Sequence, residues 1–421
     1  LIDRDYLERL ALELDLELAS GDRQLSQLFG VRIEWHNDNT LRDLLYEQMK
    51  LPILSTTAKG LPSVDRAAIM DLGRLPGNQE RMAALLDWRA RNKVRTTYTT
   101  NLTEKLDDNC RLHCEFVPWG TVTGRLSSRN PNLQNIPSRH KELARRVRRA
   151  FIVDPGQARV YCDYSQIELR LLGWCTGCQA LVNAYRSPSY DDLCRGVVGY
   201  DSYRSRRNSE PSVDAHGDIA CATFGVNPTD PDFKSKRSAA KIINFGVPYG
   251  GGPNLLIHDP NLRLPEAQAK RFFADYHRQN PEINRTKARL LQSMRQSEDL
   301  TFVNWAGRTR HGHRLVWADS DIVKEEERSM FASLVQGSAG ELTRFSIVRI
   351  WLAQRAGRIP GDLTSTVHDE IQSDCDVEDV RESAYAIQRE MEGYTGLFGT
   401  TPIVADIEVT KTNWSAKEDY P

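Results

Sequence analysis

The chain has 421 residues, 40% hydrophobic and 27% charged, with a formal net charge of −1. That length suits two or three domains of roughly 150 residues each, and the composition excludes wholesale disorder, a collagen-like repeat and a disulfide scaffold. No apolar run approaches the ~20 residues of a membrane helix, and 56 basic against 57 acidic residues do not by themselves announce a polyanionic partner.

Taken in chain order, the opening Leu1-Ile2-Asp3-Arg4-Asp5 is neither a signal peptide nor an initiator-Met start, and it reads as the interior of a longer gene product. Asp5 and Glu8 have the spacing of a capping box. Leu7, Leu10, Leu14 and Leu18 recur at helical spacing, so a first helix is expected here. Leu41, Leu44, Leu45 and Met49 predict a second helix, Pro52, Gly60 and Pro62 a loop, and Met82 to Val94 a third helix. From Leu112 the texture changes to short strand-like runs and the loop Thr121–Ser128. Val160-Tyr161-Cys162 reads as a buried strand ending at Asp163, and Ile167 to Trp174 as a helix stopped by Gly177. Residues 196–330 read as mainly helical with Gly and Pro breaks. Leu363–Val367 and Ile371–Ser373 read as strands around a tight turn at His368-Asp369, followed by a helix from Val377 to Met391. The eight cysteines fit free thiols in a reducing compartment.

Charge is unevenly distributed. Arg125 to Arg170 holds ten Lys/Arg against four Asp/Glu, whereas Gly361 to Thr410 holds two Arg against twelve Asp/Glu. A cationic and an anionic stretch kept apart can hold phosphates with one and metal ions with the other. Solvated helix faces would give the same counts.

Two groups of residues could carry chemistry. Asp163 ends an apolar strand and Asp369 sits in a turn between two strands. If those strands adjoin, the carboxylates converge and repel unless a cation lies between them. Oxygen ligands of this kind suit Mg²⁺, and two such ions can serve an attacking and a leaving oxygen. Turn formation or N-capping is the plainer role for both. The second group is Arg237, Lys241, Phe245 and Tyr249, spaced four residues apart. At about 40° of drift per step they share one helix face. Two cations followed by two rings suit a triphosphate followed by a base. An amphipathic helix with snorkelling cations fits the same spacing.

The same residues resemble those of family A DNA polymerases, the bacterial DNA polymerase I group and its phage relatives. Asp163-Tyr-Ser-Gln-Ile-Glu-Leu-Arg170 is similar to motif A. Arg237-Ser-Ala-Ala-Lys-Ile-Ile-Asn-Phe-Gly-Val-Pro-Tyr-Gly250 is similar to motif B, and Val367-His-Asp-Glu370 to motif C. Thr123–Ser128 with Pro131–Pro137 resembles the segment before motif A, and Gln336-Gly-Ser-Ala339 a further family element. The order is the family's, and the match runs from about residue 120 to the end. Residues 1–110 resemble the thumb more loosely.

The resemblance implies an α+β right-hand fold: an antiparallel-sheet palm, helical fingers and a helical thumb. The implied division is thumb 1–106, first part of the palm 107–168, fingers and adjoining helices 169–356, and second part of the palm 357–421. It implies template-directed addition of dNTPs to a primer 3′-hydroxyl with release of pyrophosphate. Asp163, Asp369 and the backbone carbonyl of Tyr164 would hold two Mg²⁺ ions, with Mn²⁺ able to substitute. Glu370 would be an accessory acid, ranked below both aspartates. Arg237, Lys241 and His216 would hold the triphosphate, with Lys241 counted as catalytic. Phe245 would pack on the sugar and base, and Tyr249 would occupy or border the templating position until the fingers close. Glu168, with Gln166 in the same motif, would lie by the sugar and exclude a 2′-hydroxyl. Arg125, Gln336 and His368 would contact the primer terminus, where minor-groove acceptors test pair shape without reading sequence. Asn132, Gln134 and Asn135 would hold the duplex or template. The run Arg139, Lys141, Arg145, Arg146, Arg148, Arg149 could grip phosphates, with some of it facing solvent. The implied partners are primer-template DNA and dNTPs, with no membrane. The implied form is a monomer in the cytoplasm of a bacterium or phage-infected cell, or in an organelle.

The sequence departs from the family pattern in three places. Pro248 removes a helix donor, so the helix is expected to bend or end near Asn244–Pro248. Ala332 stands where an Asn is expected, four residues before Gln336, and Ser238 replaces a second basic residue. Cys175-x-x-Cys178 and the cluster Cys110, His113, Cys114 would bind zinc only if they met in space; free thiols are the commoner outcome. The stretch Tyr200–Arg207 could touch a template overhang, but a solvated loop is the expectation. Asp15-Leu16-Glu17 is expected to face solvent rather than serve a proofreading exonuclease, and no exonuclease is expected in this chain. A two-metal nuclease and a catalytically silent DNA-binding protein are the rival readings. The triphosphate-type stripe counts against the first. The joint presence of Asp163, Asp369, Arg237 and Lys241 counts against the second.

Overall fold

The leucine stripe of the N-terminal segment folds as one long helix, α1 (Arg4–Phe29), in a computed structural model. The structure describes residues 1–421 except 58, 138–140, 187–191, 194, 195, 208–214, 248, 249, 260, 261, 263, 395, 396, 400 and 421. Two compact units are formed. The first comprises Leu1–Glu115, Ser128–Pro155 and Thr410–Lys417, and the second Phe116–Ser127, Gly156–Val409 and Glu418–Pro421.

In the first unit α1 starts two residues earlier than the Asp5/Glu8 spacing suggests. Asp3 is the N-cap and accepts from the Tyr6 N–H at 2.8 Å, and Gly30 closes the helix in the left-handed conformation. Leu7, Leu10 and Leu14 are buried. At about 25 cal/mol per Å² of apolar surface, each such side chain contributes roughly 2–3 kcal/mol. Leu18 and Leu25 join a core with Trp35, Leu41, Leu45 and the residues Met82, Leu85 and Trp88 of α2 (Gln79–Lys93). The second expected helix is present as Asp38–Arg42, continued as a π-helix over Asp43–Gln48. Asp15 is exposed, as expected, and Glu17 is half-buried; both have arginine partners. Asp15 pairs with Arg95 at 2.7 Å. Glu17 pairs with Arg91 and, at 2.9 Å, with Arg146 of α3 (Lys141–Arg149). Much of the basic run is thereby taken up within the unit: Arg148 stacks over Trp414 and Arg149 over Tyr6. Lys141 and Arg145 are exposed, and Arg139 lies outside the described residues.

The second unit contains a five-stranded sheet. In chain order its main elements are β1 (Gln157–Tyr164), α4 (Ile167–Thr176), α5 (Ala215–Phe224), α6 (Phe233–Gly246), α7 (Ser320–Arg355), β2 (Asp362–Val367), β3 (Glu370–Asp376), α8 (Val380–Glu392), β4 (Ala405–Thr410) and β5 (Glu418–Asp419). The sheet order is β2-β3-β1-β4-β5, with β1–β3, β2–β3 and β4–β5 antiparallel. The sheet packs through Val160, Cys162, Ile371 and Cys375 onto Leu342 and Ile350 of α7 and Ala384 and Ile387 of α8. Arg159 and Asp374 stand opposite each other in the β1–β3 register and form a buried two-point ion pair at 2.6 and 2.8 Å. A second core joins Leu169 and Leu172 of α4 to Ala239, Ala240 and Ile243 of α6 and to Phe272, Tyr276 and Phe331. The combination is α+β.

Tyr200–Arg207 is a helix, not the expected loop. Its Arg204 donates to Gln388 Oε1 at 2.6 Å and stacks over Tyr385, and Arg206 pairs with Asp192. Side-chain packing that the sequence does not display fixes this segment.

Candidate active site

Strand pairing brings the two aspartates together. Cys162 opposes Ile371 and Asp163 opposes Glu370, so Asp369 lies one residue beyond the last β1–β3 pair. The ladder closes there, with the Tyr164 N–H donating to the Asp369 carbonyl at 3.3 Å. The turn between β2 and β3 is made by His368 in the left-handed conformation (φ 57°) and Asp369. β1 is buried on both faces from Ala158 to Cys162, Asp163 is exposed at its end, and Tyr164 is buried again. The Tyr164 hydroxyl is anchored by Ser346 at 2.7 Å and the Met391 carbonyl at 2.9 Å, which fixes the residue that follows Asp163. Glu370 is buried and accepts from Gln372 at 2.7 Å, unlike the more open Asp163 and Asp369.

Beside this edge stands a guanidinium clamp. Arg125 pairs with Glu168 in the first turn of α4, and its Nη2 lies 4.0 Å from Asp369 Oδ1. Burial raises the Glu168 carboxyl above the usual range against the pull of Arg125; the nearby Asp369 charge adds to the rise, and a hydrogen bond from Gln336 opposes it. Burial likewise raises the Asp369 carboxyl, with Arg125 and His368 opposing. Glu168 and Asp369 thus share a corner with one guanidinium, and the backbone of Asp163 lies one ladder step away. The oxygen donors and their unwelcome negative charge fit a hard divalent cation. Among the described residues no group of three or more His, Cys, Asp and Glu side chains is placed to hold a metal ion by itself. His113 pairs with Asp107, and the Cys178 thiol donates to Asn280 Oδ1.

Two glycines of α7 let the Arg125 loop lie against that helix. A Cβ on Gly337 would sit 2.9 Å from the Thr123 carbonyl oxygen, and one on Gly340 3.2 Å from that of Gly124 and 3.3 Å from the Arg125 Cα. Gln336 is the neighbour of the first glycine. Ala332, one turn earlier, is half-buried and offers no polar group. Gln166, in the left-handed conformation at the start of α4, accepts from the Tyr185 hydroxyl at 3.0 Å.

The stripe on α6 forms a second group. Ala239, Ala240, Ile243 and Asn244 are buried, Lys241 and Phe245 are exposed and Arg237 is half-buried. The helix ends at Gly246, as expected of the stretch before Pro248; Pro248 and Tyr249 lie outside the described residues. His216 on α5 is buried beside α6. Its ring lies 5.6 Å from that of Phe245, and its Nδ1 is 3.3 Å from the Asn244 amide nitrogen. Asn244 went unnoticed as a partner because its only sequence signal is a polar residue on an otherwise apolar helix face. The shared core of α4 and α6 links this group to the clamp at Glu168.

Asn132, Gln134 and Asn135 belong to the first unit. Asn132 caps a 3₁₀ turn, accepting from the Gln134 N–H at 3.1 Å and the Ser128 hydroxyl at 3.0 Å. Gln134 is buried, and the Asn135 carbonyl accepts from the Tyr98 hydroxyl.

A sequence profile of DNA polymerase family A matches residues 4–416. Curated relatives include DNA polymerase I of Caldicellulosiruptor bescii, 28% identical over 98% of this chain and 44% of that protein, and of Pseudomonas aeruginosa, 30% identical over 98% of this chain and 42% of that protein. The thermostable DNA polymerase I of Thermus aquaticus is 29% identical over 99% of this chain and 46% of its own length. The chain therefore spans less than half the length of these relatives. Among solved structures, the POL domain of Pol1 from M. smegmatis, in complex with DNA primer-template and dNTP, superposes with a TM-score of 0.83 at 22% identity, over 99% of this chain and 67% of that one.

Proposed function

The chain belongs to DNA polymerase family A, and on that premise we propose that it is a template-directed DNA polymerase. The observation that carries the reading is the strand edge where Asp163 and Asp369 meet beside the Arg125–Glu168 clamp. The sheet is read as the palm, the helices around α6 as the fingers and the N-terminal helices as the thumb. The substrates are a primer-template duplex and a dNTP. The primer 3′-oxygen bonds to the α-phosphorus as the bond to the β-phosphate oxygen breaks, and pyrophosphate leaves. Catalysis of this kind is mostly positioning and charge neutralisation.

Asp163, Asp369 and the Tyr164 carbonyl would hold two Mg²⁺ ions, or Mn²⁺, which when bound neutralise phosphate charge and make the primer hydroxyl a better nucleophile. Arg237 and Lys241 receive the triphosphate as forked and point charges respectively, with His216 beside them. Phe245 offers an exposed ring to the incoming sugar and base, and Tyr249 is assigned the templating position. Glu168, with Gln166 behind it, faces the sugar and disfavours a 2′-hydroxyl. Arg125, Gln336 and His368 meet the minor groove at the primer terminus. Asn132, Gln134 and Asn135 hold the duplex. Glu370 is a supporting acid. The enzyme works as a monomer in the cytoplasm of a bacterial or phage-infected cell, with no proofreading exonuclease in the stretch 1–421. No helix among the described residues is long and apolar enough to cross a membrane.

The test is primer extension with Mg²⁺ and each dNTP on a defined template. Templated synthesis is expected, dependent on all four nucleotides; degradation of the primer without dNTPs would instead favour a nuclease. Glu168→Ala should raise incorporation of ribonucleotides by about tenfold or more, the scale of one lost discriminating contact. Unchanged exclusion would remove its assigned role.

A further inference from the structure

A hairpin outside every sequence motif touches the clamp loop. Thr301–Val303 pairs with Thr309–His311, and the turn between them is closed by Asn304, whose side chain accepts from the N–H groups of Ala306 and Arg308 at 3.0 Å each. Arg308 leaves this turn towards Gly124. The φ of Gly124 is +85°, and a Cβ there would lie 3.1 Å from Arg308 Cδ and 3.2 Å from Nε. The guanidinium then pairs with Glu341 of α7, whose side chain is 11% exposed and also lies 3.4 Å from Arg344 Nη1. Glu341 is one residue beyond Gly340, the glycine packed on the Gly124 carbonyl and the Arg125 Cα. The loop is thus gripped on two sides: the glycine face of α7 on one, the Arg308 stem on the other. Within the loop the Gly124 N–H donates to the Thr121 carbonyl at 3.2 Å and the Thr121 hydroxyl to the Arg125 carbonyl at 2.8 Å, two short-range bonds that leave its placement to the packing on either side.

We propose that Arg308 is a positioning residue for Arg125. Its stem and its pair with Glu341 hold the loop Thr121–Arg125 so that the Arg125 guanidinium stays on Glu168 and within reach of Asp369. Arg308 itself need touch neither substrate nor the reacting atoms. Side chains that orient a functional group must be locked by their own packing and pairing, and a partly buried carboxylate shared by two guanidinium groups supplies that lock. This role rests on the polymerase reading for its consequence in catalysis, but the placement of the loop does not.

The experiment has two arms. In the first, amide hydrogen exchange is followed in the whole chain for peptides covering residues 121–127. Arg308→Ala should speed exchange there about tenfold, the scale of one lost local interaction. Peptides from β1 and β3 should remain at the parent rate, and Arg308→Lys, which keeps a stem over Gly124 and a cation for Glu341, should restore most of the protection. Unchanged exchange at 121–127, or acceleration spread equally over the sheet, would overturn the placement. The second arm is a double-mutant cycle in single-turnover nucleotide addition. If Arg308 acts through Arg125, Arg308→Ala slows the parent about tenfold but adds nothing in an Arg125→Ala background. Effects that multiply would overturn the assignment. A parent chain that adds no nucleotide would defeat the polymerase reading, and exchange would still decide where Arg308 holds the loop.

Discussion

The strand edge at Asp163 and Asp369 and the outer stripe of α6 belong to the same unit, yet their side chains are held in different ways. At the strand edge the constraints are dense. Asp163 is fixed by its cross-strand pairing with Glu370, Tyr164 is tied at both ends, Arg125 spans Glu168 and approaches Asp369, and the Arg159–Asp374 pair lies four residues down the ladder. On α6 the inner face is anchored through Ala239, Ala240 and Ile243, while Lys241 and Phe245 are exposed, Phe245 beside the His216 ring. The contrast matches two tasks. Groups that set the geometry of reacting atoms need fixed positions, because small displacements cost rate. Groups that receive a mobile, highly charged ligand can stay flexible, at the cost of ordering them when it binds.

The sharpest way to break this comparison is kinetic. Asp163→Ala should lower kcat for nucleotide addition by at least about a thousandfold, because the lost group acts on charge that develops in the transition state. The KM for dNTP should change little. Lys241→Ala should instead raise that KM about ten- to a hundredfold, the cost of a charge-assisted contact made in ground and transition state alike, with a smaller change in kcat. Single-turnover rates over a range of dNTP concentrations separate the two outcomes. Equal kcat losses would erase the proposed distinction between a fixed edge and a receiving stripe.

A stability measurement tests the same difference without substrate. Asp374→Ala leaves Arg159 charged and buried, so urea unfolding should show a loss of about 3–5 kcal/mol. Removing the acid at the N-cap of α6, in Asp232→Ala, breaks a partly exposed i,i+4 pair with Lys236 and should move the midpoint far less than Asp374→Ala does. A small effect at Asp374 would mean that the ladder, rather than the buried pair, holds the edge.

How much of this was legible in the sequence follows from the same contrast. The apolar run ending at Asp163 and the turn at His368-Asp369 were readable because strand alternation and turn chemistry are local. The register that places Asp163 opposite Glu370 is a non-local fact, and the family likeness, not periodicity, suggested that the two aspartates meet. The α6 stripe was readable as a face, since helical spacing alone defines it. What covers its other side was not: Asn244 beneath His216, and Leu169 and Leu172 against Ala239 and Ala240, are contacts between segments far apart in the chain. The helix at Tyr200–Arg207 was misread as a loop because its stability comes from Arg204 on Tyr385 and Gln388, nearly two hundred residues away. The basic run before β1 was read partly as a phosphate grip. Its Arg146, Arg148 and Arg149 instead meet Glu17, Trp414 and Tyr6, because arginine stems and forks pack as readily as they bind ligands.

The smallest predicted effect concerns the cost of assembling the acidic edge. The Asp369 carboxyl is raised by burial, against the opposing charges of Arg125 and His368. A carboxyl whose folded value lies above its unfolded one favours folding while protonated, and that contribution is lost as pH rises through the folded value. At neutral pH without a divalent cation the ionised group therefore weakens the fold. Asp369→Asn, which keeps the shape and removes the charge, should be more stable than the parent at pH 7 by roughly 1 kcal/mol, typical of sites strained for function. The difference should shrink as pH falls and vanish below the ordinary Asp range near ~3.9, where both side chains are neutral. On α6 the sign should reverse for Lys241→Met if the stripe is merely solvated, because removing an exposed charge relieves no burial and adds apolar surface to water. Thermal melts in EDTA from pH 3 to pH 8 read both variants. A gain at Asp369→Asn that persisted at pH 3 would point to shape rather than charge, and no gain at pH 7 would mean that Arg125 already neutralises the edge.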